Sequence, residues 1–187
     1  MPLNRRSLFI TMAIVAGAWT GAAQRAPGCQ GAAGNLLAAN CGFDKDVAGW
    51  RGMADTTVAH QPAAANDPAS AAMKATSTAQ GSLIAASACV PVQGATGYRF
   101  SARMRVSSGT PYFCALNAWQ YTDPKCDAGA EPLGSGGAPP KSAWAMLQGQ
   151  ASTAPNAKSV QLRTDCSGSG VISIEWDDFV LAPSAAK

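Results

Sequence analysis

The chain has 187 residues, 47% of them hydrophobic and 13% charged, which excludes a disordered polyelectrolyte and suffices for one domain with a real core. Its formal charge of +3 comes from 14 Lys/Arg against 11 Asp/Glu, with no basic run or aromatic–basic repeat of the sort that marks a nucleic-acid binder. The 19 Gly and 12 Pro favour many turns and short strands over long helices.

Arg5 and Arg6 precede an apolar run from Leu8 to Trp19, and Gly21, Ala22 and Ala23 follow it. Basic, apolar and small-residue segments in that order predict a cleavable export signal over residues 1–23. The run falls short of the roughly 20 apolar residues that cross a bilayer, and no later stretch is as apolar, so no membrane span is expected. Arg5-Arg6-Ser7-Leu8-Phe9 stands where a twin-arginine motif would, so secretory and twin-arginine export both fit. Cleavage after Ala23 leaves 12 Lys/Arg against 11 Asp/Glu, which removes most of the basicity and any case for a nucleic-acid partner. The expected location is periplasmic or extracellular. Residues 24–34, rich in Gly, Ala and Pro, read as a linker, and residues 183–187 as a tail.

From Asn35 the chain reads as strands. Val90 and Val92 flank Pro91, which suits a strand near a sheet edge, and Gly94 and Gly97 mark a turn. Tyr98, Phe100, Ala102, Met104 and Val106 alternate with Arg99, Ser101, Arg103 and Arg105, the period of a half-buried antiparallel strand. Residues 59–72 and 127–142 read as Ala/Pro- and Gly/Pro-rich loops. Val160, Leu162 and Thr164 alternate with Gln161, Arg163 and Asp165 in the same way. Ile172, Ile174 and Trp176 share one face of the following strand, but Phe179 and Leu181 have the opposite parity. A β-bulge at Asp177-Asp178 repairs the register, and two adjacent carboxylates there either lie solvated at the surface or form a cation site, with calcium the natural cation in an exported protein. The pattern predicts an all-β protein, an antiparallel β-sandwich.

Six cysteines in an exported chain read as disulfides, with 15 connectivities open. No C-x-x-C pair occurs and His60 is the single histidine, which leaves zinc binding and thiol catalysis without material. Cys114 and Cys126 flank one strand and turn, FCALNAWQYTDPKC, and form the expected pair; Cys29, Cys41, Cys89 and Cys166 stay unassigned on this ground.

The opening NLLAANCGFDKDVAGW (35–50) resembles that of secreted jelly-roll domains of the carbohydrate-binding-module type, family four/nine, in the galactose-binding-like superfamily. SVQLRTDCSGSGVISIEWDDFVL (159–181) resembles their closing strand pair, CVPVQGATGYRFSARMRV (89–106) their middle pair, and Trp144 with TAPNAKSVQL their approach to the final strands. The resemblance covers residues 35–182 and implies a jelly roll. It implies a structural calcium between Asp44 and Asp177, although Asp44 stands where Glu is usual. Cys41 stands where Gly is usual, which suggests a disulfide securing the first strand. Trp50, Trp144 and Trp176 fall at positions that resemble core positions of the fold.

A polysaccharide or other glycan is the partner this resemblance implies. Such modules stack aromatic faces on sugar rings while polar groups meet the hydroxyls. Trp119 and Tyr121, which share a strand face with Asn117, and the row Arg99, Arg103, Arg105 are the candidate ligand contacts, suited in one groove to a polar or anionic glycan. The competing expectation packs Trp119 beneath the 127–142 loop and leaves the arginines on a solvated face. An envelope protein using the sandwich for protein contacts is the alternative function. A hydrolase is a further one, since Glu175 and Asp177 would lie about 7 Å apart on an unbulged strand, near the spacing of an inverting glycosidase. No nucleophile–base pair is apparent, and the expectation is a non-catalytic protein.

Overall fold

A computed structural model describes residues 28–62, 71–79 and 81–184. The expected signal, residues 24–27 of the expected linker, residues 63–70 of the expected first loop and residues 185–187 lie outside these.

Nine strands follow in order: β1 (Trp50–Met53), β2 (Thr56–Gln61), β3 (Ala72–Ser77), β4 (Ser82–Ser87), β5 (Val90–Pro91), β6 (Gly97–Tyr121), β7 (Glu131–Ala138), β8 (Ala145–Ser152) and β9 (Ser159–Pro183). The 25-residue strands β6 and β9 pair antiparallel from end to end. Their ribbon bends where the register slips, between Val106 and Ser108, Ser108 and Thr110, and Pro111 and Phe113, and there Gly109 takes φ +84°. Each half of the ribbon thus serves a different sheet. Sheet I runs β1-β4-β9-β6-β7 through residues 159–167 and 113–121; sheet II runs β2-β3-β9-β6-β8 through residues 173–183 and 97–106. The two pack face to face as the expected sandwich.

Alternation decides what lies between the sheets. Phe100, Ala102 and Met104 from one half of β6 meet Leu116 and Ala118 from the other, with Leu83, Leu162, Ile174 and Trp176, all at most 1% exposed. Phe43, Trp50 and Phe179 form an aromatic cluster with centroids 4.2 to 5.9 Å apart. The bulge occurs as the parity required: Ser101 pairs with Val180 but Arg103 with Asp177, and Asp178 takes φ +54°. That one extra residue lets Ile174, Trp176, Phe179 and Leu181 all reach 0% exposure.

Four sequence expectations need correction. The 127–142 stretch contains β7, because its glycines serve close packing rather than a turn: a Cβ on Gly136 would stand 2.1 Å from the Gln148 carbonyl oxygen of β8. Residues 35–44 form no strand. Instead the buried Asn35 side chain bridges to β9, with Nδ2 donating to the Cys29 and Phe179 carbonyls and Oδ1 accepting from the Leu37 and Leu181 amides, all at 3.0 to 3.1 Å. The expected linker contributes Cys29 to the core.

The fourth correction is the disulfide Cys114–Cys126. The bonds are Cys29–Cys41, Cys89–Cys126 and Cys114–Cys166. Cys114 lies seven residues before the end of β6, about 23 Å of strand, and the turn beyond does not bring Cys126 back over that distance. Cys114 faces inward opposite its register partner Cys166, while Cys126 meets Cys89 beyond the strand end. Cys29–Cys41 ties down the opening segment, as Cys41 suggested.

Candidate functional site

With Leu116, Ala118, Leu162 and Thr164 turned into the core, the intervening residues of β6 and β9 form the outer face of sheet I. Register places Arg51, Ala86, Arg163, Asn117 and Ser135 in one row across five strands, about 19 Å at the usual strand spacing. Beside that row stand Gln161 and Trp119, a direct cross-strand pair. Tyr121 follows on the same face.

These side chains are fixed by one another. Gln161, 3% exposed, donates from Nε2 to the Ser87 carbonyl at 2.9 Å. Its Oε1 accepts from the Tyr121 hydroxyl at 3.2 Å and from Arg163 Nε at 3.1 Å. Arg163 Nη2 donates to the Tyr121 hydroxyl, and the guanidinium lies 4.6 Å from the centroid of the Trp119 ring, a cation–π contact. Trp119, half-buried, is thus held in place with part of its ring surface open, and Asn117 and Ser135 offer polar groups alongside. Ala86, fully buried between Arg51 and Arg163, keeps that stretch low. At the end of the face nearest the Cys89–Cys126 bond, a depression of about 290 Å³ is lined by Arg51, Ser87, Lys125 and Gln161. Toward the other end lies Asp165, whose carboxyl is pushed above its ordinary value by burial. Beyond it Phe113, 50% exposed, rests on Gly137, where a Cβ would stand 2.4 Å from the ring.

Of the expected ligand contacts, Asn117, Trp119 and Tyr121 come together here, although Tyr121 at 3% exposure supports the site rather than presenting a ring. Arg99, Arg103 and Arg105 do not join them. They lie on the outer face of sheet II, because the ribbon bend separates the two halves of β6. Arg105 Nε bonds Glu175 Oε2 at 2.6 Å, Arg103 Nη1 bonds Asp178 Oδ2 at 3.2 Å, and both guanidinia lie on Trp144, 4.7 and 5.1 Å from its centroid. Trp144 is therefore a half-buried outer-face residue and not part of the core. Arg99 borders a larger depression of about 560 Å³ with Ser101, Gln148 and Gln150; its aromatic, Phe100, is 1% exposed and closed to stacking.

The paired carboxylates of the bulge find their positive charge in Arg103. Asp178 also accepts the Cys29 amide at 3.1 Å, and Asp177, 1% exposed, accepts the Asp178 amide at 2.7 Å. Asp44, exposed, accepts Gln30 Nε2 at 2.8 Å. Among the described residues no group of three or more His, Cys, Asp or Glu is placed to hold a metal, and Asp44 and Asp177 are engaged by the Gln30 side chain and the Asp178 amide respectively. Glu175, 7% exposed and paired with Arg105, and buried Asp177 are both closed to a polysaccharide.

Gln161, Arg163 and Phe113 are the site residues that motif reasoning missed. Their signal was present as the polar half of the 160–164 alternation and as the aromatic opening the FCALNAWQY run, but nothing in it told that both strands share one face.

No protein-family model and no curated protein matches the chain. Solved structures do. The chain is similar to a Clostridium thermocellum endo-1,4-β-D-xylanase structure comprising a family 22 carbohydrate-binding module and a catalytic module with xylohexaose, at TM-score 0.60 and 13% identity, covering 77% of this chain. It spans 28% of that longer protein. It is similar to a family 61 carbohydrate-binding module in complex with β-1,4-galactotriose (TM-score 0.57, 18% identity, 80% of this chain and 99% of that one). A family 4 carbohydrate-binding module is similar at TM-score 0.54 and 11% identity, over 73% of this chain and 95% of that one. The fold is thus the jelly roll of carbohydrate-binding modules, and the likeness extends across several families rather than to the four/nine type alone.

Proposed function

We propose that the chain is an exported, non-catalytic glycan-binding domain whose ligand lies across the outer face of sheet I. One observation carries this reading: Trp119 is held half-open beside a pre-formed polar network of Arg163, Tyr121 and Gln161. A sugar ring presents C–H groups to an aromatic face and hydroxyls around its edge, and this surface offers both complements without rearrangement. The structural neighbours that carry xylohexaose and galactotriose lend support at the level of fold. Three disulfides suit an oxidising compartment, and among the described residues no helix is long and apolar enough to cross a membrane.

A glycan array followed by titration calorimetry tests it. Wild type binds at least one polysaccharide, and Trp119→Ala weakens that binding about tenfold or more while lowering the melting temperature by only a few degrees, the share of the lost cation–π contact. Absence of binding to every glycan, or equal binding by the variant, refutes the reading.

A further inference from the structure

The charges around the 290 Å³ depression point to a class of glycan, an inference that rests on the glycan-binding reading above. Arg51 and Lys125 both line it, and no carboxylate does. Both side chains are exposed, and neither takes part in an ion pair among the described residues. Two cations facing one small volume repel each other unless an anion lies between them.

Their positions are built into the fold. Arg51 sits on β1 directly after the core residue Trp50, in register with Ala86. Lys125 lies beside Cys126, which is bonded to Cys89, in a turn clamped by Asp123, whose carboxylate accepts the amides of Lys125, Asp127 and Ala128 at 2.6 to 2.9 Å. Of the two acids that flank Lys125 at two residues' distance, Asp123 is thus already turned to its own turn, and Asp127 does not line the depression. Asp165, the acid on the sheet face, lies two residues along β9 from Arg163, about 7 Å away, and Arg163 directs its bonds to Tyr121 and Gln161 instead. Gln161 joins the two parts of the site, since it lines the depression and is the cross-strand partner of Trp119.

We propose that this site takes an acidic polysaccharide, one whose repeat contains a hexuronic acid, with the sugar carboxylate between Arg51 and Lys125 and the neighbouring ring on Trp119. Carboxylate bonds to a guanidinium and an ammonium are charge-assisted and stronger than hydroxyl bonds, so acidic chains are selected over neutral ones of the same linkage.

The test compares polygalacturonate, alginate and hyaluronan, each against the same polymer with its carboxyl groups reduced to alcohols, by affinity electrophoresis and calorimetry. Wild type prefers at least one acidic polymer over its reduced form by about tenfold at low salt, the preference shrinks at high salt, and Arg51→Gln/Lys125→Gln abolishes it. Equal affinity for acidic and reduced forms of all three, or a preference that survives the double substitution, overturns the proposal. If xylan or another neutral glycan binds through Trp119 while no acidic polymer is preferred, this inference fails and glycan binding stands. If no polymer binds at all, both fall.

Discussion

Gln161→Ala is the most informative single change, because one buried amide holds both stability and the shape of the site. The substitution removes the bond to the Ser87 carbonyl and the two acceptances from Tyr121 and Arg163. The two neutral bonds are worth roughly 1 kcal/mol each and the charge-assisted one roughly 1.5 kcal/mol after allowing for the half-exposed arginine, a loss of about 3.5 kcal/mol. In a domain of this size roughly 3 °C accompanies each kcal/mol, so the melting temperature falls by about 10 °C. Urea denaturation measures the first quantity and calorimetry the second, while glycan titration reads the loosened Trp119–Arg163 pair as weaker affinity well below the melting range. Gln161→Glu keeps the acceptor toward Tyr121 and Arg163 and opposes a carboxylate to the Ser87 carbonyl, so it retains more glycan affinity than Gln161→Ala at comparable stability. A loss under about 1 kcal/mol with unchanged affinity refutes the idea that this network organises the face.

Asp178 sits at φ +54°, where a β-branched residue is strained. Asp178→Val costs about 2 kcal/mol from backbone strain and the lost Arg103 contact, whereas Asp178→Asn costs under about 1 kcal/mol because it tolerates the same backbone and still accepts the Cys29 amide; equal losses in urea titrations refute the assignment of strain to the bulge. Asp165 carries a native carboxyl raised by burial, so its protonated form favours folding, and that contribution is lost as pH climbs through the raised native value. Asp165→Asn removes this fall, and stability curves of wild type and variant over the mildly acidic range are expected to diverge with rising pH in favour of the variant; parallel curves contradict it.

How much of this was legible depends on whether a feature is local. The alternations at 98–106 and 160–164 foretold inward and outward faces because a strand has a period of two whatever it pairs with. The bulge was legible for the same reason, since Trp176 and Phe179 cannot both be buried without it. Disulfide connectivity was not, because Cys114 faces Cys166 only through the pairing of β6 with β9. The arginine row misled in an instructive way. Arg99 and Trp119 have the same parity on one continuous strand, and parity reports the outer face correctly for both, yet the bend near Gly109 assigns those outer faces to opposite sides of the sandwich. The glycines of β7 failed as turn signals because Gly is called for both where a chain turns and where two backbones nearly touch.

The shared ribbon also bears on how the domain forms. Because β9 is a central strand of both sheets, a chain synthesised only as far as residue 158 holds no complete sheet of either kind, and Cys114 has no Cys166 to oxidise with. Pairing β6 to β9 closes loops of tens of residues before any reward is collected, the arrangement that slows folding in β proteins. Neither sheet is completed without the strand that completes the other, so the two are expected to form together and late, once β9 has been made.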